Sequence, residues 1–290
     1  MKRMRIQISR LRRIAGLLLF VAGTAYGAAG EEGTSMKKRT EAFENIHLDL
    51  VNQNVELEIS DENIFGFEIS TKYMGGISWK LKDSTLFIGE KTFSADRIRR
   101  ISELKDRKKI SMRIYIPANV KLGKVFIRNT AGHTGITGIS CGSMELKFSS
   151  GYMSLISCSA DAFSSKCTSG GLSIDVCKFK RGQAGASSGK LEATATNLRD
   201  FGMKTTSGNI SFSGTMAGEC ALKSSSGNIS CKVAGSVRNF AVSADVTSGK
   251  ILINDRKQDT RHYLANENCD DSISIRTTSG NVQLNFAADK

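Results

Sequence analysis

Proline is almost missing from this chain: Pro117 is the only one in 290 residues, against 28 glycines. That excludes proline-rich linker and collagen-like character. Histidine is scarce too. His47, His133 and His262 give no material for a histidine-rich metal site. The seven cysteines (141, 158, 167, 177, 220, 231 and 269) contain no Cys-x-x-Cys spacing and no Cys-His cluster, so no zinc signature is present. No glycine-rich loop opens a helix, as a phosphate site requires. What is present, 40% hydrophobic and 24% charged residues, is enough to build a core.

The formal net charge is +13, but it is unevenly placed. Lys2, Arg3, Arg5, Arg10, Arg12 and Arg13 precede an uncharged stretch, Ile14 to Gly30, built around Leu17-Leu18-Leu19-Phe20-Val21. Ala25 and Gly27 stand at the −3 and −1 positions of a cleavage site. A basic start, a short apolar segment and a small-residue exit predict a secretory signal peptide over 1–27, cut between Gly27 and Ala28. An uncleaved anchor is the alternative, but 17 uncharged residues with four glycines are short for a membrane span. No cysteine lies there, so a lipoprotein is not expected. Removing the six basic residues leaves 35 basic against 28 acidic, or +7. The case for nucleic acid weakens accordingly, while anionic surfaces such as headgroups or acidic polysaccharide stay open.

The strongest signal is a repeat. Gly132, Gly151, Gly170, Gly189, Gly208 and Gly227 are spaced by 19 residues each. Two further Ser-Gly pairs, at Gly249 and Gly280, follow at intervals of 22 and 31, which read as insertions of three and twelve residues. After each glycine, positions +2 and +4 are apolar, as in Leu172/Ile174 and Ile229/Cys231. Before it, positions −7, −5 and −3 are apolar or small, as in Met144/Leu146/Phe148. Period-two alternation marks strands with one buried face. Its parity flips across the glycine, so the chain turns a corner there, where the lack of a Cβ helps. Two strands and two corners in 19 residues make one coil, and equal coils stack into an all-β solenoid, or β-helix. Eight registered glycines imply seven steps, or about 34 Å of rod. Hairpins forming a sandwich explain the alternation but not the constant period.

Thr168, Ser187, Thr206, Ser225 and Thr247 recur at −2, and Asn209 and Asn228 at +1. They are expected to satisfy corner backbone groups along ladders, with a hydroxyl array for ice or sugar as the sharper alternative. Residues 28–42 read as a flexible lead-in, 43–118 as an irregular β region capping the solenoid, and 119–290 as repeats with an insertion near 254–271.

The segment Ile114-Tyr115-Ile116-Pro117-Ala118-Asn119-Val120, then Phe126-Ile127-Arg128-Asn129-Thr130-Ala131-Gly132, then repeated Thr/Ser-Ser-Gly-Asn-Ile units, resembles the bacterial "putative adhesin" β-strand-repeat domains of unknown function. The resemblance spans about 43–290. It implies an extracytoplasmic, non-enzymatic β-solenoid of the cell envelope, and it brings no catalytic residues. The cysteine content and the 250–279 stretch depart from the simplest pattern.

Cys167, Cys220 and Cys231 fall on inward positions as small hydrophobes. Cys158 and Cys177 both lie at +7, one coil apart, close enough for a disulfide, although parallel Cβ vectors oppose one. At least three free thiols are expected in the denatured, unreduced chain. A polysaccharide-active enzyme would need convergent acids, and Asp175 and Glu192 are scattered. His133 follows a corner glycine and could approach Ser150 or Ser169, yet a polar corner residue explains it as well. No cofactor or metal is implied. The best partner-contact candidates are two basic segments that break the pattern: Arg97, Arg99, Arg100, Lys108 and Lys109, and then Arg256, Lys257 and Arg261. The partner would be an envelope protein, a polysaccharide or a host-surface ligand. The alternative role for these charges is to keep edges solvated. The C-terminal end reads as short of a cap, which permits end-to-end self-association.

Overall fold

The computed structural model describes residues 34–71, 76–90, 111–266 and 268–289. It is a β-solenoid with three sides. In the strand Ser159–Asp175, residues 159–160 lie on side C, 163–167 on side A and 171–175 on side B. The next coil repeats each position 19 residues on: Phe163 pairs with Gly182, Gly170 with Gly189, and Ile174 with Ala193, all parallel.

Alternate residues point into one continuous core. Met144, Leu146, Met153, Leu155, Leu172, Ile174, Leu191, Ile210, Phe212, Leu222 and Ile229 are all buried. Each large aliphatic side chain so removed from water contributes about 1.5–3 kcal/mol. No coil could hold these side chains alone, so neighbour stacking carries the fold. Phe163, Phe179 and Phe201 stack with ring centroids 4.4–6.0 Å apart where sides C and A meet.

The corner from side A to side B is a column of glycines. A Cβ built on Gly151, Gly170, Gly189, Gly208 or Gly227 would meet the carbonyl oxygen of the preceding corner glycine at 1.7–2.1 Å. Backbone packs on backbone at this edge, and four of these glycines, all but Gly208, also have φ between +121° and +158°. The second corner, from B to C, turns on Ser157, Val176 and Ala195 with φ near +50°. Just after it, Cys158, Cys177 and Thr196 form one buried ladder. Each donates to the carbonyl two residues before it, at 2.8–3.3 Å. Each also reaches the coil below, at Ile136, Leu155 and Ile174. The thiols therefore do a hydroxyl's work, and all seven cysteines are free. Burial pushes the thiol of Cys141 up to about 12 and that of Cys167 up to about 11, which keeps both protonated.

The two ends depart from sequential stacking, and here the expected register is corrected. Gly280 stacks on Gly227, and Gly249 stacks on Gly280. The coil 272–286 therefore inserts between 219–233 and 241–253. The intervals of 22 and 31 are not simple insertions: the chain runs out one layer, crosses the end and returns underneath. The crossing supplies a cap. His262–Ala265 lies antiparallel on Ala241–Ser248, and Arg256–Lys257 on Ile251–Ile253. The C-terminal end is thus covered, against the expectation of a bare edge, because an unpaired outer coil would expose a row of backbone donors and acceptors.

The other end is built alike. Asn45–Ile59 stacks on 121–137, and the layer made by Thr85–Glu90 and Ser111–Ile116 lies outside it. Ile77–Lys82 and Gly66–Thr71 close that layer antiparallel. Thr34–Arg39, expected within a flexible lead-in, is a strand on Gly66–Thr71, anchored by Met36 against the core.

Candidate binding face

Side A shows solvent the residues at −6, −4 and −2 from each corner glycine. Following the strand pairing, position −4 reads Arg128, Lys147, Lys166, Gly185, Lys204, Lys223 and Arg276. This is a single row of six cations in seven consecutive layers, about 29 Å long at about 4.8 Å per layer. Beside it run the exposed hydroxyls of Thr130, Ser149, Thr168, Ser187, Thr206 and Ser225. The other flank is small or neutral in the middle layers: Ser164, Gln183, Gly202, Ala221 and Ser274.

Among the described residues, acids stand only at the margins of the row, and each is held by cations. Asp49 takes two hydrogen bonds from Arg128, which hold its carboxyl below the usual range. Lys147, at 2.7 Å, lowers Glu145, with help from Lys124. At the far end, burial raises Asp245, but hydrogen bonds from His262 and Arg276 outweigh it, and the carboxyl lies low. Lys166, Lys204 and Lys223 are exposed and have no ion pair among the described residues. The hydroxyls of Thr168, Ser187, Thr206 and Ser225 likewise make no hydrogen bond there.

An open groove of about 480 Å³ follows the row through five layers, from Arg128 through Lys147, Lys166 and Gly185, the one missing rung, to Lys204, with Thr130, Ser149, Thr168 and Ser187 along it.

The residues singled out from sequence are placed as follows. Gly27, Ala28, Arg97, Arg99, Arg100, Lys108 and Lys109 lie outside the described residues, the basic five between Thr85–Glu90 and Ser111–Ile116. Arg256 and Lys257 sit in the cap of side B. Arg261 sits at the end of side A, donating to the Thr247 carbonyl at 2.9 Å. The structure does not bring these three together into the row. The asparagines form a ladder: Asn209, Asn228 and Asn281 accept from the backbone N–H of the next layer at 2.8–3.0 Å. Glu192 pairs with Lys190, and the ring of His133 lies beside Tyr152. Among the described residues, no three His, Cys, Asp or Glu side chains gather as metal ligands do.

The row itself was missed in the sequence, although its signal was there. The −2 hydroxyls were followed down the repeat and the −4 cations were not. The last rung could not be read that way, because the crossed threading places Arg276 next to Lys223 and moves Asp245 to the outside.

Comparison with known proteins agrees with this architecture. No curated protein matches the chain. Solved structures share the fold, two of them with these measures. A "putative adhesin" from Bacteroides fragilis has a TM-score of 0.51 at 12% identity, with 89% of this chain and 98% of that one covered. A "putative adhesin" from Parabacteroides distasonis has a TM-score of 0.54, also at 12% identity, with 88% and 97% covered. Residues 43–285 match the model of the Toastrack DUF4097 family, and the chain belongs to that family.

Proposed function

We propose that the protein is an extracytoplasmic, non-enzymatic binding module of the cell envelope, with side A as its binding face. The cation row carries this reading. Like charges stacked at about 4.8 Å repel one another, so nothing in the fold calls for six of them in file, whereas an anionic partner would. The N-terminal signal pattern supports an extracytoplasmic location, and the adhesin names of the structural relatives accord with a binding role. An enzyme acting on polysaccharide has less support, since no acid faces the middle of the row. The antiparallel caps argue against end-to-end assembly.

Cell fractionation tests the location: the protein is expected outside the cytoplasm with its N-terminus at Ala28. A cytoplasmic chain starting at Met1 would overturn it. Retention on envelope extract tests the role. The wild type is expected to bind at low salt and wash off at high salt, because exposed charge pairs are screened. Absence of retention at both would leave the binding role without support.

A further inference from the structure

Given the binding role of side A, the kind of ligand can be narrowed. We propose that side A binds a linear anionic glycan, carboxylated or sulfated, lying along the solenoid axis.

Four observations point there. The cations stand in single file, which suits a thread of charges more than a plane of headgroups. The row is regular over about 29 Å, so a repeating polymer can meet successive rungs without bending. The parallel row of unpaired hydroxyls gives donors and acceptors beside every charge, which fits a polymer bearing its own hydroxyls. Finally, the groove of about 480 Å³ runs along the row from Arg128 to Lys204, room for sugar units laid lengthwise.

Other polyanions fit less well. Single-stranded nucleic acid is held by aromatic platforms as well as charge. The outward aromatics of side A, Phe87, His47 and Phe126, stack on one another at its N-terminal end, and from Lys166 to Arg276 the outward residues include none. Among the large exposed apolar residues, Tyr152, Ile156 and Val176 belong to side B and its corner, and Leu264 to the cap. The outward apolar rings of side A, Phe87 and Phe126, are half-buried and confined to its N-terminal end, so its middle layers have nothing apolar to press into a bilayer.

The test uses purified full-length protein and binding isotherms at several salt concentrations. The probes are polygalacturonate and dextran sulfate in short and long chains, neutral dextran, phosphatidylglycerol–phosphatidylcholine vesicles and poly(dT). Affinity is expected to rise with chain length for one or both anionic glycans until the chain spans the row. The variant K166E/K204E/K223E changes only exposed side chains. It should bind about ten- to a hundredfold more weakly, as three modest surface pairs would give. Its slope of log K against log salt should shrink by about three, one for each cation removed. The reverse variant, Gly185→Lys, fills the missing rung. Its Cβ would meet only the Ser165 carbonyl oxygen, at 3.7 Å. It should tighten binding a few-fold, about the strength of one exposed pair.

Binding to vesicles or poly(dT) without either glycan would overturn the glycan and leave the cationic face in place. Equal binding by wild type and the triple variant would overturn side A. Affinity independent of chain length would overturn the axial thread. Failure of every anionic probe would overturn both this inference and the cationic binding face.

Discussion

Sides A and B share one backbone, one period and one core, and they differ in what they turn outward. On side B the outward charges mix signs and form no row: Glu56 and Glu58 in one layer, then Asp175, Lys190 with Glu192, and Lys232. Side B does repeat neutral groups, Ser154, Ser173, Ser211 and Ser230, with the asparagine ladder at its corner. Both sides arise from the same repeating unit, so repetition alone does not explain a row of one charge on side A. The inward residues recur because stacked strands must bury them. The asparagines recur because a backbone N–H in the next layer needs an acceptor. Lys166, Lys204 and Lys223 satisfy nothing among the described residues. That difference separates a scaffold position from a binding position.

The largest effect would come from the corner that divides the sides. Gly170→Ala places a Cβ at 2.0 Å from the Gly151 carbonyl oxygen, at φ +140°. It should cost on the order of 3–5 kcal/mol and lower the urea midpoint sharply. Gly202→Ala is the control on side A. Its Cβ meets nothing within 4 Å, so stability should stay within about 0.5 kcal/mol or rise slightly. Equal losses for the two would mean that backbone contact does not make the corner.

The comparison of sides is then tested directly. Reversing two cations on side B, Lys190→Glu with Lys232→Glu, should leave glycan affinity within about twofold, since an exposed charge beyond a Debye length is largely screened. The side A triple reversal should weaken it by about ten- to a hundredfold. Similar losses on both sides would show that net charge and not the row governs binding.

A smaller effect compares the two kinds of corner. Val176 turns from side B to side C at φ +53°, a β-branched residue in the left-handed region, and it is 55% exposed. Its side chain packs little, and the conformation costs about 1–2 kcal/mol. Val176→Asn should therefore stabilise the fold by about 1 kcal/mol in urea titration. The same change at Ile174, buried on side B, should destabilise it by about 2–5 kcal/mol.

The legible part of this molecule was the part the repeat dictates. The 19-residue interval, the inward alternation and the stack from Gly132 to Gly227 could all be read because close backbone contact leaves no choice but glycine at each corner. The threading at the ends could not. Gly249 and Gly280 have the same local sequence as the others, and nothing local says which lies outside. Long-range pairing decides it, since Ile273 meets both Cys220 and Val242. The binding row was half legible. Arg128 to Lys223 can be counted off at −4 from each glycine, but outward residues vary freely, so a recurring lysine looked like ordinary surface charge. The basic segments breaking the pattern drew attention as loops, and three of their cations, Arg256, Lys257 and Arg261, belong to the cap region.

The finest test asks why the row stays open at its middle. Asp161 lies just before side A on the strand that carries Lys166, and left free it would add a negative charge to that edge. Instead it is held by Lys121 at 2.7 Å and Lys180 at 2.8 Å. These two hydrogen bonds bring its carboxyl from the usual 3.8 down to about 2. A carboxyl lowered on folding adds stability that is complete above its unfolded value and is lost as pH falls through the folded one. Whatever this exposed cluster contributes should therefore fade between about pH 4 and pH 2 and be constant near neutrality. Carboxyl NMR should show a midpoint near 2, returning towards 3.8 in Lys121→Ala/Lys180→Ala. In that variant Asp161 is released at the edge where side C meets side A, and glycan affinity should fall by less than about threefold, the worth of one exposed pair. Unchanged affinity would show that the row tolerates a free acid at its edge, and that the lysines flanking Asp161 serve side C alone.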